Sequence, residues 1–267
     1  MGESRVVTFT TDFGLQDPFV GIMHGVVLSI HPHVHIVDIC HAVPSFDLLD
    51  GAWTLVQSYR YFPPQTVHVV VIDPGVGSAR RPILAETENY LFVAPDNGVL
   101  SLVEARESRF TVRHIVSESY FLQPVSQTFH GRDIFSPVAA WLSKGVTPAE
   151  FGPVITDFVR LPIPRVERLG GNGLRGAVIR VDKFGNLVTN LTAQDVPALS
   201  GARPRQFEFL ISGKSVVHLR GSYAEGAEDE IFVIAGSSGY LEIAANRASA
   251  AEKLQAGAGA EVRVVVY

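Results

Sequence analysis

Val67-His68-Val69-Val70-Val71-Ile72 runs straight into Asp73-Pro74-Gly75-Val76-Gly77-Ser78-Ala79-Arg80. A short run that is apolar except for His68, closed by an acid and a glycine-rich turn, is what a strand buried on both faces of a parallel sheet looks like. The flanking segments agree with that reading. Upstream, residues 5–11 are rich in Val, Thr and Phe and predict a strand that ends in a loop at Asp12-Phe13-Gly14. Asp17-Pro18 predicts a helix start, with Asp17 as a possible cap. Phe19, Ile22, Met23, Val26, Val27 and Ile30 then fall on one helical face, and Pro32 ends it.

Residues 35–39 predict a second strand and 47–61 a second helix, stopped by Pro63-Pro64. Downstream, 82–87 and 90–94 predict strands around a Glu88-Asn89 turn. Residues 98–105 predict a short helix, and 133–143 a firmer one capped by Asp133. Such alternation defines an α/β layer with a mostly parallel sheet and flanking helices. Ligands in these sheets gather at the carboxyl ends of the strands. Asp12 and Asp73 each follow a strand, so both acids are expected on one rim.

The texture changes near residue 163. Pro162-Ile163-Pro164 and Gly170-Gly171-Asn172-Gly173 mark a linker over 163–173, between an α/β domain at 1–162 and a small all-β barrel domain at 174–267. Strands are expected there at 176–181, 187–190, 206–211, 215–219, 231–235, 240–244 and 261–266. No internal repeat or low-complexity segment interrupts either part.

With 267 residues, 46% apolar and 18% charged, the chain can bury a sizeable core. A net charge of −5 argues against a nucleic-acid partner. No apolar run approaches the ~20 residues needed to span a bilayer, and no leader pattern stands at the N-terminus, so a cytoplasmic protein without a membrane partner is expected. Cys40 has no intrachain disulfide partner and is expected to be a buried, inert thiol.

The polar residues carry two readings each. Asp12 and Asp17 either take a ribose diol and an ammonium, or close a turn and cap a helix. Asp73 and Arg80 form either a structural turn with an ion pair or part of a site. The turn lacks the Lys-Ser/Thr ending of a P-loop and the spacing of a dinucleotide fingerprint. His130, in Thr128-Phe129-His130-Gly131-Arg132-Asp133, is either structural or an acid, base or ligand. If an acid, a guanidinium and an imidazole converge, they can hold and deprotonate a water. His31, His33 and His35 alternate, but Pro32 interrupts them and no metal is expected. Asp182 to Asn186, Ser237 to Tyr240 and Ala245 to Arg247 read as turns between strands.

In chain order, Thr11-Asp12-Phe13-Gly14, Asp73-Pro74-Gly75-Val76-Gly77, Ala94-Pro95-Asp96-Asn97-Gly98, Thr128 to Asp133, Phe184-Gly185-Asn186 and Ser238-Gly239-Tyr240 together resemble one family. It is the S-adenosyl-L-methionine (SAM) hydroxide adenosyltransferases, adenosine-forming SAM hydrolases similar to the bacterial fluorinase and chlorinase. The resemblance covers nearly the whole chain. It implies a homotrimer in which SAM, as substrate and with no further cofactor, lies between the N-terminal domain of one subunit and the C-terminal domain of its neighbour. Asp73, Arg80 and His130 are implied as the catalytic set. Asp12 would grip the ribose, with Asp17 nearby and Phe46 lining the pocket. Asp182 would face the methionine end, Phe184 would stack on adenine, and Asn186 with backbone near Ala245 and Arg247 would read its edge. Ser237 and Ser238 would sit near the methionine carboxylate, and Tyr240 is a further substrate-binding residue. The halogenases carry non-acidic residues where Asp73 stands and lack the histidine seen as His130, which points to water as the nucleophile; at the carboxylate and pocket positions they carry arginine where Ser238 stands and an aromatic residue where Val188 stands. A SAM-dependent halogenase and a non-catalytic SAM or adenosine sensor are the alternatives.

Overall fold

The computed structural model describes residues 5–199 and 206–267. The absence of a leader was expected from the first residues, and positions 1–4 lie outside the described ones. The chain divides into two compact units, on either side of Pro162 and Ile163.

The N-terminal unit runs β1 (Val6–Thr11), α1 (Phe19–Ile30), β2 (His35–Cys40), α2 (Leu48–Ser58), β3 (Val67–Val71), β4 (Pro82–Glu86), β5 (Leu91–Pro95), α3 (Ser101–Glu104), β6 (Thr111–His114), α4 (Ser136–Ser143) and β7 (Val154–Ile155). Its sheet has the order β2-β1-β3-β5-β4-β6-β7. Strands β2, β1, β3 and β5 are mutually parallel, whereas β4, β6 and β7 extend the sheet antiparallel. The expected α/β class holds, but the sheet is mixed, and the parallel half carries the acids. The reason is local: Glu88-Asn89 joins two strands by a tight turn, which only an antiparallel pair can use.

All five residues of β3 are buried. Val7, Phe9, Val69 and Val71 pack with Met23, Val27, Phe135, Val138 and Leu142 of α1 and the α4 region. The alternate residues face α2, where Gly51 is so close that a Cβ there would lie 2.7 Å from Ile72. His68 sits on that second face, fully buried, with Nδ1 2.7 Å from Thr8 Oγ1 and its ring stacked on Phe92. Burial alone pushes it down to about 3, so it is a neutral packing residue.

Several expectations are corrected. Asp17 does not cap α1: Pro18 holds the cap position and no side chain bonds there. The expected apolar face of α1 is only partly used, for Met23 and Val27 are buried while Phe19 and Ile22 are exposed. Asp133 is no cap either; it lies inside a π-helical turn, Gly131–Phe135, that precedes α4. The second helix ends at Ser58 and tightens to a 3-10 turn over Tyr59–Tyr61, and Asp47 is its cap, accepting from Asp50 N at 2.9 Å. Cys40 is half-buried, not buried. Of the alternating histidines only His35 lies in a strand, since His31 caps the end of α1 and bonds Ser143 Oγ at 2.8 Å.

The C-terminal unit contains β8 (Glu167–Leu169), β9 (Gly173–Val181), β10 (Leu187–Thr192), β11 (Phe207–Ile211), β12 (Lys214–Val216), β13 (Ile231–Ala235), β14 (Tyr240–Ala245), α5 (Ala250–Leu254) and β15 (Glu261–Val266). Its sheet runs β12-β11-β15-β9-β10-β14-β13 with antiparallel neighbours, and β8 pairs β9. Gly170 to Asn172 is therefore a hairpin turn, so an ordered strand occupies part of the segment read as a linker. The strand expected at 215–219 stops at Val216; beyond it, Val233 N donates to His218 O at 2.7 Å and Arg220 N to Val233 O at 3.0 Å. Those bonds join the end of β12 to β13 and bring the sheet close to a closed barrel. Phe209, Ile211, Leu187, Val233, Ile243 and Val264 fill it. Among the described residues, no helix is long and apolar enough to cross a membrane.

Candidate functional site

The parallel pairing of β1 with β3 matches Thr11 to Val71, so Asp12 and Asp73 leave adjacent strands at one rim. From Asp73 the chain folds back on itself: Val76 N donates to Asp73 O at 3.3 Å and Ser78 N to Gly75 O at 3.1 Å. This returns Arg80 to the acid. Arg80 Nε donates to Asp73 Oδ1 at 2.8 Å, and Nη2 makes a second, shorter bond to Oδ2. The fork-to-fork pair is nearly buried, with side chains 8% and 5% exposed. Arg80 also lies over the Phe135 ring, 5.2 Å from its centre.

His130 joins this pair from another part of the chain. Its Nδ1 is 2.8 Å from Arg80 Nη2. A guanidinium has only donors, so Nδ1 must accept, and the ring hydrogen is left to Nε2. Burial, then the Arg80 charge, pushes His130 below the usual histidine range, partly offset by Asp73, Asp133 and the Ser126 carbonyl. The imidazole is held neutral in one tautomer. Two features bring it into place. Gly77 has φ +76°, and a Cβ there would lie 2.3 Å from the Gln127 carbonyl oxygen, so only glycine allows the two loops to touch. Asp133, fully buried, accepts from Ser126 N at 2.8 Å and from Arg132 Nε at 2.5 Å, which fixes the segment leading to His130. Arg80 Nη1 is buried and has no hydrogen-bond partner among the described residues. A charged donor in that state asks for an oxygen.

Asp12 Oδ2 accepts from Phe46 N at 2.9 Å. Phe46 has φ +68° and is 69% exposed, a strained conformation for an aromatic residue beside the acid. Asp17 is exposed in the same β1–α1 loop.

The C-terminal unit gathers a second group. Asp182 Oδ1 accepts from Phe184 N at 2.8 Å and Asn186 N at 2.9 Å, and Oδ2 accepts from Asn186 Nδ2 at 2.9 Å. Asp182 thus builds the β9–β10 turn, orients the buried Asn186 amide and leaves Phe184 75% exposed. A cavity of about 580 Å³ is lined by Asp182, Phe184, Asn186, Ala245 and Arg247, with Tyr223, Ala248 and Ser249. Ser237, Ser238 and Tyr240 do not line it. They belong to the β13–β14 hairpin end, where Gly236 N donates to Tyr240 O at 2.8 Å, and Ala245 is at the other end of β14, ~17 Å along an extended strand.

Sequence reasoning missed Tyr223. Its hydroxyl donates to Glu242 Oε2 at 3.0 Å, and burial with the Glu242 charge pushes it up to about 12. Glu242 itself is pushed up by burial, with Asp182 adding to it. Nothing near Tyr223 in the chain signals this, because its partner lies on β14. Phe135 and Asp133 carried a usable signal: both follow His130 within five residues. A larger cavity, about 1080 Å³, opens among Arg5, His31, His33, Thr66 and Lys144, at the amino ends of β1 and β3. It contains none of these residues, and the strand ends that hold the acids are opposite.

An α/β unit with a buried acid–guanidinium–imidazole chain at its strand ends, followed by a β-barrel unit with an aromatic-rimmed cavity, defines a two-domain ligand-binding protein of enzymatic type. Residues 7–152 match the family model of the SAM hydroxide adenosyltransferase N-terminal domain, and residues 176–263 match that of the C-terminal domain. The chain belongs to the SAM hydroxide adenosyltransferase family. It is 38% identical to the (R)-S-adenosyl-L-methionine hydrolase of Salinispora tropica over 99% of both chains, and 27% identical to a fluorinase of Actinoplanes sp. over 97% of both. A crystal structure of an uncharacterized conserved protein from Thermotoga maritima superposes with a TM-score of 0.91 at 33% identity, covering 97% of this chain and 99% of that one.

Proposed function

We propose that the protein hydrolyses S-adenosyl-L-methionine to adenosine and L-methionine. The observation that carries this reading is the Asp73–Arg80–His130 chain with its unpartnered, buried Arg80 Nη1. The sulfonium makes methionine a good leaving group, so the site needs no general acid. Its task is to hold a water in line with C5′. The oxygen forms a bond to C5′, the S–C5′ bond breaks with its electron pair passing to sulfur, and one proton is released. Arg80 Nη1 supplies the donor for a hydroxide-like oxygen, in a setting where water competes little. Asp73 fixes the fork of Arg80. His130 accepts from Nη2, so it orients the guanidinium and is a positioning residue in this arrangement.

The binding residues divide in the same spirit. Asp12 uses Oδ2 on Phe46 N, which leaves Oδ1 for a ribose hydroxyl. Asp17 would face the ammonium, and Phe46 would wall the pocket. Asn186 spends its Nδ2 on Asp182, so its oxygen is presented to an amino group, as adenine N6 offers. Phe184 would stack on the base, and Ala245 and Arg247 would offer backbone to its edge. Ser237, Ser238 and Tyr240, at the far end of β14, would take the methionine carboxylate. The protein would act as a homotrimer in the cytoplasm, with each site shared between neighbours and no cofactor beyond the substrate.

The test is incubation of the purified protein with SAM, in both sulfonium epimers because the hydrolase relatives are named for the (R) form, with products identified by mass. Adenosine, methionine and one proton per turnover are expected. A 5′-halogenated nucleoside in chloride or fluoride, or binding without turnover, would overturn the reading. Arg80→Lys keeps the charge but loses the fork, and is expected to lower kcat by roughly 10²-fold or more.

A further inference from the structure

A second cluster of polar side chains lies behind the β1–α1 loop. Asp38 Oδ1 is 2.8 Å from His24 Nε2 and 3.0 Å from His41 Nε2. All three donor atoms lie within 4.8 Å of one another. His24 comes from the middle of α1, Asp38 from β2 and His41 from just beyond its end. Strict strand alternation would turn Asp38 and His41 to opposite faces, being three positions apart. The β1–β2 register shifts between Phe9 and Thr10, and that irregularity turns both toward α1. No sequence spacing announces such a site.

We propose that His24, Asp38 and His41 bind one divalent transition-metal ion of the Zn²⁺ type. Two imidazole nitrogens and a carboxylate oxygen form the donor set that borderline ions take. His41 is only 7% exposed, and its Nε2, 3.0 Å from Asp38 Oδ1, has no hydrogen bond among the described residues. Its other nitrogen, Nδ1, is 2.8 Å from Thr11 Oγ1, the kind of outer contact that fixes the ring of a metal-bound histidine. The His24 side chain, 25% exposed, and the Asp38 side chain, 38% exposed, leave an approach from solvent and room for a water as fourth ligand. Tetrahedral donors with bonds of ~2.0–2.1 Å stand roughly 3.3 Å apart, so the two Asp38 distances lengthen by a few tenths of an ångström and the two imidazole nitrogens, within 4.8 Å of each other, close on the ion.

The ion's role is structural. It joins α1 to the end of β2, and His41 in turn holds the substrate-side loop: its carbonyl accepts from Gly14 N at 2.7 Å, and Thr11 adjoins Asp12. Binding is read without turnover, so the proposal stands apart from the hydrolysis assay.

The test is titration of chelator-treated full-length protein with Co²⁺, followed by its visible d–d bands, and with Zn²⁺, followed by thermal unfolding. One equivalent of saturable Co²⁺ binding and a Tm that climbs with Zn²⁺ concentration are expected. His24→Gln and Asp38→Asn should lose both signals, whereas His33→Gln keeps them. Thr11→Val should weaken affinity about 10- to 100-fold. Circular dichroism of His24→Gln without metal establishes that it folds. No saturable binding, or binding that survives in both His24→Gln and Asp38→Asn, would overturn the proposal and leave the cluster as paired side chains only.

Discussion

His68 and His130 are both neutral histidines, for different physical reasons and with different consequences. His68 is surrounded by aromatic rings and burial alone depresses it. Its folded value lies below that of the unfolded chain. The unfolded state therefore binds the extra proton, and stability falls as pH drops below about 6.5, by up to about 1.4 kcal/mol per unit until pH nears 3. Denaturant unfolding at pH 7 and pH 5 should show this slope, and His68→Leu should flatten it while costing stability at pH 7. His130 is depressed by burial and by Arg80 together. Turnover should thus stay level as pH falls through the ordinary histidine range and decline only below it. His130→Ala should lower kcat more than it raises KM, because its loss frees the Arg80 fork and leaves the binding residues intact. A kcat unchanged in that variant would remove His130 from the machinery.

Turns, more than helices or strands, build both halves of the site at the element scale. Gly77 permits the contact between the Asp73–Arg80 turn and Gln127. Gly77→Ala combines a positive φ with a 2.3 Å clash against a backbone oxygen. It should cost about 1–3 kcal/mol in stability and disproportionately reduce turnover, measured against SAM binding by calorimetry. In the barrel unit Gly185 has the same function. Its Cβ would lie 2.2 Å from Ser249 Oγ, and its carbonyl accepts from Ala251 N at 2.9 Å. The turn glycines were visible in the chain as punctuation; what they approach was not. The π-helical turn at Gly131–Phe135 stands where the sequence predicts the capped start of a helix at Asp133, because an acid before an apolar run is also how a capped helix begins. There, Asp133 spends its carboxylate on Ser126 and Arg132.

At the scale of the whole molecule, the Asp73 set and the Phe184 cavity lie in different units of the chain. If each site is shared between neighbours in a trimer, two inactive variants should complement. Coexpressed His130→Ala and Phe184→Ala chains, mixed evenly, would form sites from two intact halves about a quarter of the time, and activity should recover to about that fraction of wild type. Sedimentation should give three chains per particle. No recovery in mixed particles would mean that each chain supplies both halves of its own site.

Periodicity and punctuation in the sequence determined the elements that are most buried: β3, the core side of α1, and the antiparallel strands of the second unit. Burial on a repeating face writes itself into residue order. The identity of the acid, guanidinium and imidazole was legible too, as was their family pattern. Only the tertiary structure decided that Arg80 forks onto Asp73 while His130 accepts from it, that Tyr223 meets Glu242, and that His24, Asp38 and His41 share one point. Those contacts join residues 3 to 50 positions apart through side-chain geometry, register shifts and loop approach, none of which has a period along the chain.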